Sequence, residues 1–271
     1  MLPQDVAMTI AVGLLIGLIL GLTGAGGSIF AVPMFILLLG LSVNDAIGVS
    51  LGAVSITAVV GVMLRCKQRD IAWKPGLIIA MAGIVTAPMG RWIGANTNDN
   101  ILLTGFALLA IVLALKMWKQ AADNQKLGVK EQAGSGALQT DDQSLENYYI
   151  ENSIYLIGSG LVCGFLSGLF GVGGGFIIVP LLTLYAGMGI KQAVGTSLLV
   201  ISLVSAMGFG FHLLNVAQVP ADILLRTSIG SVLGIVLGTI IAKELAGPKL
   251  QKLFACSVIG LMAVTIYRTI L

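Results

Sequence analysis

The sequence is poor in charge. Only 10% of its 271 residues are Asp, Glu, Lys or Arg, against roughly 25% in an average soluble domain. A soluble chain of this size cannot cover its surface with so few charges, so lipid must cover most of it. Histidine occurs once, and the three cysteines, Cys66, Cys163 and Cys256, form no CxxC pair. That excludes a disulfide framework and a metal centre, and no cofactor is expected. A net charge of +3, scattered along the chain, gives no nucleic-acid footprint. No Lys or Arg precedes Arg65, so the positive region of a cleavable signal peptide is missing and the first apolar segment is expected to stay as a helix.

What is present is apolar. Hydrophobic residues make up 57% of the chain, and the mean hydropathy is +1.00. Ten apolar segments run near 5–22, 28–42, 45–64, 73–93, 101–118, 150–170, 175–189, 192–214, 221–243 and 250–270. The second and seventh are short, follow glycine clusters and contain a proline (Pro33, Pro180). Each reads as a half-helix or re-entrant piece, since a full crossing takes about 20 apolar residues. Residues 119–149 are polar and unpatterned, as expected of a solvated, partly disordered linker.

The linker divides two copies of one unit. GLTGAGGSIFAVP at 21–33 aligns with GLFGVGGGFIIVP at 168–180, an offset of 147 with seven of thirteen positions identical. AIGVSL at 46–51 meets AVGTSL at 193–198 at the same offset, and Gly90 meets Gly238 one residue later. A shared offset over separate motifs marks an internal duplication. Lys and Arg concentrate in 65–74, 116–149 and 243–252, together with Lys191, so that side is expected to be cytoplasmic and both termini outside. The basic loop after segment three corresponds to LLNVAQ after segment eight, which holds no Lys or Arg. Five segments per unit is odd, so the second unit enters upside down, an arrangement common in secondary transporters. The expected architecture is an all-α integral membrane protein of two inverted-topology repeats with broken helices and 8–10 membrane segments. Repeat 1 covers 1–118, a cytoplasmic linker 119–149, and repeat 2 covers 150–271.

The glycine strings carry the chemistry. Gly24-Ala25-Gly26-Gly27 and Gly171-Val172-Gly173-Gly174-Gly175 are poor helix formers, and non-helical backbone in a bilayer must be buried in protein or face a cavity. Helical starts follow at Ser28 and Phe176. A helix N-terminus offers free N–H groups and partial positive charge, an anion site needing no cationic side chain. Inversion would turn two such termini toward each other around a central pocket. The competing readings are tight small-residue packing and a dinucleotide fingerprint, which lacks its strand–turn–helix context here. Ser50, Thr196 and Ser197 supply hydroxyls, with Ser55 and Ser202 further on; the bland alternative is bonding to carbonyls one turn back. Arg226 is the guanidinium suited to an oxyanion, set against an interfacial anchor or a partner for Asp222. Arg91 beside Trp92 reads as an interface anchor, Lys191 as a topology determinant and His212 as a satisfied or interfacial histidine. No carboxylate falls in mid-segment.

The duplicated G-L-x-G-x-G-G-[GS]-x-x-x-V-P block, followed in each half by A-x-G-[VT]-S-L, resembles the TauE/SafE sulfite exporter family. The resemblance covers nearly the whole chain apart from 119–149 and the extreme N-terminus. It implies a multi-pass permease of the plasma membrane for sulfite, small organosulfonates or related organic anions, with Gly24, Gly26, Gly27, Gly171, Gly173, Gly174 and Gly175 as signature glycines. Family members are drawn with eight spans, fewer than the ten segments counted here. The expected function is secondary transport of a small anion by alternating access. The partners are that anion and the lipid bilayer; a coupling H⁺ and a homodimer stay open. One exported negative charge gains about 2.3 kcal/mol per 100 mV of inside-negative potential, so export needs no coupling ion while import does. The rivals are a passive anion channel and an intramembrane hydrolase. For the latter, Ser197 and His212 would sit roughly 22 Å apart on one helix, too far to act as a nucleophile–base pair.

Overall fold

In the computed structural model, residues 3–24, 27–66, 70–126, 153–173, 175–184, 188–215, 220–245 and 260 are described. Backbone in lipid has no water to bond, so apolar runs close their hydrogen bonds internally as helix. Among the described residues the chain forms α1 (Pro3–Thr23), α2 (Gly27–Leu39), α3 (Val43–Cys66), α4 (Trp73–Ala95), α5 (Asp99–Lys126), α6 (Ser153–Phe170), α7 (Gly175–Leu184), α8 (Ile190–Asn215) and α9 (Ala221–Leu245), with no strand. Five of these, α1, α3, α4, α8 and α9, are long and apolar enough to cross a membrane. The chain is therefore an all-α, multi-pass membrane protein. The 13 residues of α2 and 10 of α7 reach only about 20 Å and 15 Å, short of a hydrocarbon core of about 30 Å. Helix α5 runs to Lys126, so residues 119–126 of the stretch expected as linker are helical. Residues 127–149 and, apart from Gly260, the segment expected at 250–270 lie outside the described residues.

The packing follows the duplication. Gly13, Gly17 and Gly21 of α1 lie against the backbone of Thr227, Ser231 and Ile235 of α9. Gly160, Gly164 and Gly168 of α6 lie in the same way against Ile79, Gly83 and Ala87 of α4. The glycines correspond at the offset of 147 and the residues they face at 148. Glycine every fourth residue lets helix backbones approach closely, which is the main packing device where lipid removes the hydrophobic driving force. Both pairs run parallel, and each joins a helix of one half to a helix of the other. The equivalent helices α3 and α8 run antiparallel: Gly48 faces His212, Ser55 bonds Ser202 and Gly61 faces Leu198.

Polarity is distributed as lipid requires. Leu77, Met81, Val85, Met89 and Trp92 of α4 form an exposed stripe, and Leu225, Ile229, Leu233, Leu237 and Ile240 form its counterpart on α9, each 148 residues on. Ser50, Ser55, Thr57, Thr196, Ser197, Ser202, Ser205 and Ser231 are buried inside. They share the α3–α8–α9 interior with Leu51, Val54, Leu198, Ile201 and Ile235.

Candidate functional site

Both glycine strings break the chain, by the same device. Helix α1 ends at Thr23, and Gly24 follows with φ +71° while its N–H donates to the Leu20 carbonyl at 2.7 Å. Helix α6 ends at Phe170, and Gly171 follows with φ +71° while its N–H donates to the Ser167 carbonyl at 2.8 Å. This is the left-handed cap that glycine adopts without a Cβ penalty. Gly173 is also left-handed, at φ +66°. The chain resumes helix at Gly27 and Gly175, one residue before the starts expected at Ser28 and Phe176. Ala25, Gly26 and Gly174 lie outside the described residues.

Each break is held by the opposite half. The Ser50 hydroxyl donates to the Gly171 carbonyl at 2.7 Å. The Ser197 hydroxyl donates to the Gly24 carbonyl at 2.9 Å and to Val194 at 2.8 Å. A Cβ on Gly171 would run into Ile47, and one on Gly24 into Val194. The pairs Gly24/Gly171, Ile47/Val194 and Ser50/Ser197 all differ by 147, so the two halves clasp each other through equivalent surfaces. Ser55, whose hydroxyl meets the Ser202 carbonyl at 3.3 Å, is itself 147 residues from its partner and marks the centre of that relation. Gly173 reaches the same crossing. A Cβ there would lie 3.0 Å from Ser205 Oγ and 3.3 Å from Val54 Cγ1. The Ser205 hydroxyl is fully buried and has no partner.

The hydroxyls expected to face a solute are engaged with backbone instead. Ser50 and Ser197 pin the two breaks, and Thr196 accepts from the Ala72 N–H at 2.9 Å at the entrance to α4. Arg226 pairs with Asp222 one turn back at 3.5 Å, partly exposed, which is the local alternative weighed for it. The structure thus pairs Gly171 with Ser50 and Gly24 with Ser197, sets Gly173 against Ser205 and Val54, and buries Val172 and Ser28. Ser197 and His212 make no nucleophile–base pair: one bonds carbonyls and the other accepts from Arg91.

Arg91, expected as an interface anchor, is buried in protein, and His212, expected as satisfied or interfacial, is bonded to it. Arg91 is 1% exposed and His212 fully buried, and Arg91 Nε donates to His212 Nδ1 at 2.9 Å. The sequence held a signal for this: His212 stands 147 residues from Arg65, another buried cation. An ionisable residue inside a membrane segment is a candidate functional residue.

With this geometry in view, the comparisons point one way. A family model described as "Sulfite exporter TauE/SafE" matches residues 9–266. A "Probable membrane transporter protein" of Xylella fastidiosa (strain Temecula1) is 30% identical over 98% of this chain and 97% of its own length. A protein named in the same words from Methanocaldococcus jannaschii is 26% identical over 94% of the chain and 92% of its own. The Bacillus subtilis protein YunE, also named a probable membrane transporter, is 29% identical over 76% of the chain and 77% of its own. No solved structure matches.

Proposed function

The chain belongs to the TauE/SafE sulfite exporter family of membrane transporters, and from that premise we propose that it moves a small anion by alternating access. The anion is sulfite, an organosulfonate or a related sulfur or carboxylate anion. The observation that carries this reading is the reciprocal clasp: each half's backbone break is bonded by a serine of the other half. Such a clasp ties the geometry of each break to the relative position of the halves. Rocking one half against the other then opens the site to alternate sides. The helix N-termini at the starts of α2 and α7, Gly27 and Gly175, supply the positive potential for the anion. The unpartnered Ser205 hydroxyl adds a donor at Gly173.

The halves are taken as inverted repeats over 1–118 and 150–271. Support comes from the antiparallel course of the equivalent helices α3 and α8, since two equivalent helices that both cross a bilayer in opposite senses require inversion. The basic loops 65–74, 116–149 and 243–252 then face the cytoplasm and both termini face outward. Export of the anion runs down an inside-negative potential without a coupling ion, and import would draw on H⁺. Purified protein in liposomes tests the reading. Saturable, trans-stimulated flux of sulfite supports it, and unsaturable conductance indicates a channel.

A further inference from the structure

A buried guanidinium lies on α4. Arg91 donates from Nε to His212 Nδ1 at 2.9 Å and from Nη2 to Asn44 Oδ1 at 2.8 Å. Its Nη1 is buried with no partner. An arginine Nε only donates, so His212 Nδ1 must accept, and the neutral ring carries its proton on Nε2. That N–H is also buried without a partner. Asp45, next to Asn44, accepts from the Ser42 hydroxyl at 2.7 Å across the start of α3. The cluster is therefore a cation with two neutral neighbours and two unused donors, drawn from α3, α4 and α8.

Both unused donors look onto glycine. A Cβ on Gly48 would overlap His212 Nε2, and one on Gly94 would lie 3.6 Å from Arg91 Nη1. The Gly48 backbone therefore closes over His212 Nε2, whereas Arg91 Nη1 stands at ordinary van der Waals distance from such an atom at Gly94. The cluster also adjoins the second break. Asn44 and Gly48 meet Arg91 and His212, while Ile47 and Ser50 on the same stretch of α3 meet Gly171. Asn44 and Ser50 are about 9 Å apart along the helix axis.

We propose that Arg91, His212 and Asn44 form an anion-binding station on the transport path beside the Gly171 break. It takes one oxyanion group, sulfite-like, sulfonate or carboxylate, on Arg91 Nη1, with the fork held by His212 and Asn44. The inference rests on the reading of the chain as an anion transporter. A planar guanidinium fork held by two side chains is suited to such a group. The rival role is a cap for the end of α6, as Arg65 serves α1 through a 3.2 Å bond from Nη2 to the Gly21 carbonyl. Arg91 differs in that both its bonds run to side chains of other helices.

The variant that separates the two is Asn44→Asp, isosteric and able to give Arg91 a built-in carboxylate. Sulfite flux into proteoliposomes is measured over a range of sulfite concentrations, with melting temperature in detergent, for wild type, Asn44→Asp and Arg91→Gln. The station predicts that Asn44→Asp melts no lower than wild type while its half-saturation for sulfite rises about 10- to 100-fold, the equivalent of one charge-assisted hydrogen bond. Arg91→Gln raises it similarly, and Arg91→Lys replaces it if the glutamine variant does not fold. Unchanged half-saturation in these variants, or a fall in flux and melting temperature with no change in half-saturation, assigns Arg91 to capping and overturns the station alone. Absence of saturable wild-type flux for sulfite, methanesulfonate and acetate refutes the anion-transporter reading and the station with it.

Discussion

Ser50→Ala removes one hydroxyl and tests the clasp between the halves. Ser50 is fully buried, and its single hydrogen goes to the Gly171 carbonyl at 2.7 Å. The alanine variant takes the donor away from a buried acceptor at a left-handed residue, which costs about 1–3 kcal/mol. At about 2–4 °C per kcal/mol for a chain of this size, melting falls by on the order of 5 °C. Ser197→Ala is the internal control. Its one hydrogen is shared between the Gly24 and Val194 carbonyls, so less is lost at the break and the drop is smaller. Both variants lower sulfite flux by more than their folded fraction explains, because the breaks lose their registration with the opposite half. The assay is thermal unfolding of purified protein beside initial flux in proteoliposomes. A Ser50→Ala protein that melts with wild type, or a Ser197→Ala protein that loses more than it, refutes the reasoning.

Other outcomes follow from the same contacts. Gly17→Leu forces α1 away from the Ser231 backbone of α9, and Gly164→Leu forces α6 from Gly83 of α4; both lower the yield of folded protein in detergent, by similar amounts. Gly158→Ala, where a Cβ meets nothing within 4 Å, leaves stability unchanged or raises it by up to about 1 kcal/mol of helix propensity, read as thermal unfolding. Ser205→Ala removes a buried donor that has no partner. It raises stability by about 1 kcal/mol while weakening sulfite half-saturation, and a variant that gains stability with wild-type half-saturation would place Ser205 outside the site.

The broken helices were legible because glycine at a helix end and a run of poor helix formers leave a clear trace in one dimension. The shared offset also announced the equivalence that the clasp displays. The partners of the serines were not legible. Ser50 and Gly171 are 121 residues apart, and a lone hydroxyl does not reveal whether it faces a solute or a distant carbonyl. The pairing of Arg91 with His212 was hidden for a related reason. Each stands near a segment end, where long polar side chains ordinarily reach for the interface. Only the packing of α4 against α8 makes them neighbours. For Arg226 the sequence offered both an oxyanion and Asp222 one turn back, and the structure shows the pair with Asp222.

Gly173 is a left-handed residue where a break meets the α3–α8 crossing. Gly173→Ala costs about 1–2 kcal/mol for a left-handed residue with a Cβ, and its nearest neighbours are side-chain ends at 3.0 to 3.3 Å, so the protein still folds. Its saturable sulfite flux in proteoliposomes is predicted to fall at least about tenfold, the loss expected when 1.4 kcal/mol of binding or registration is removed. Wild-type flux in a folded Gly173→Ala protein would contradict the claim that the two breaks together hold the anion.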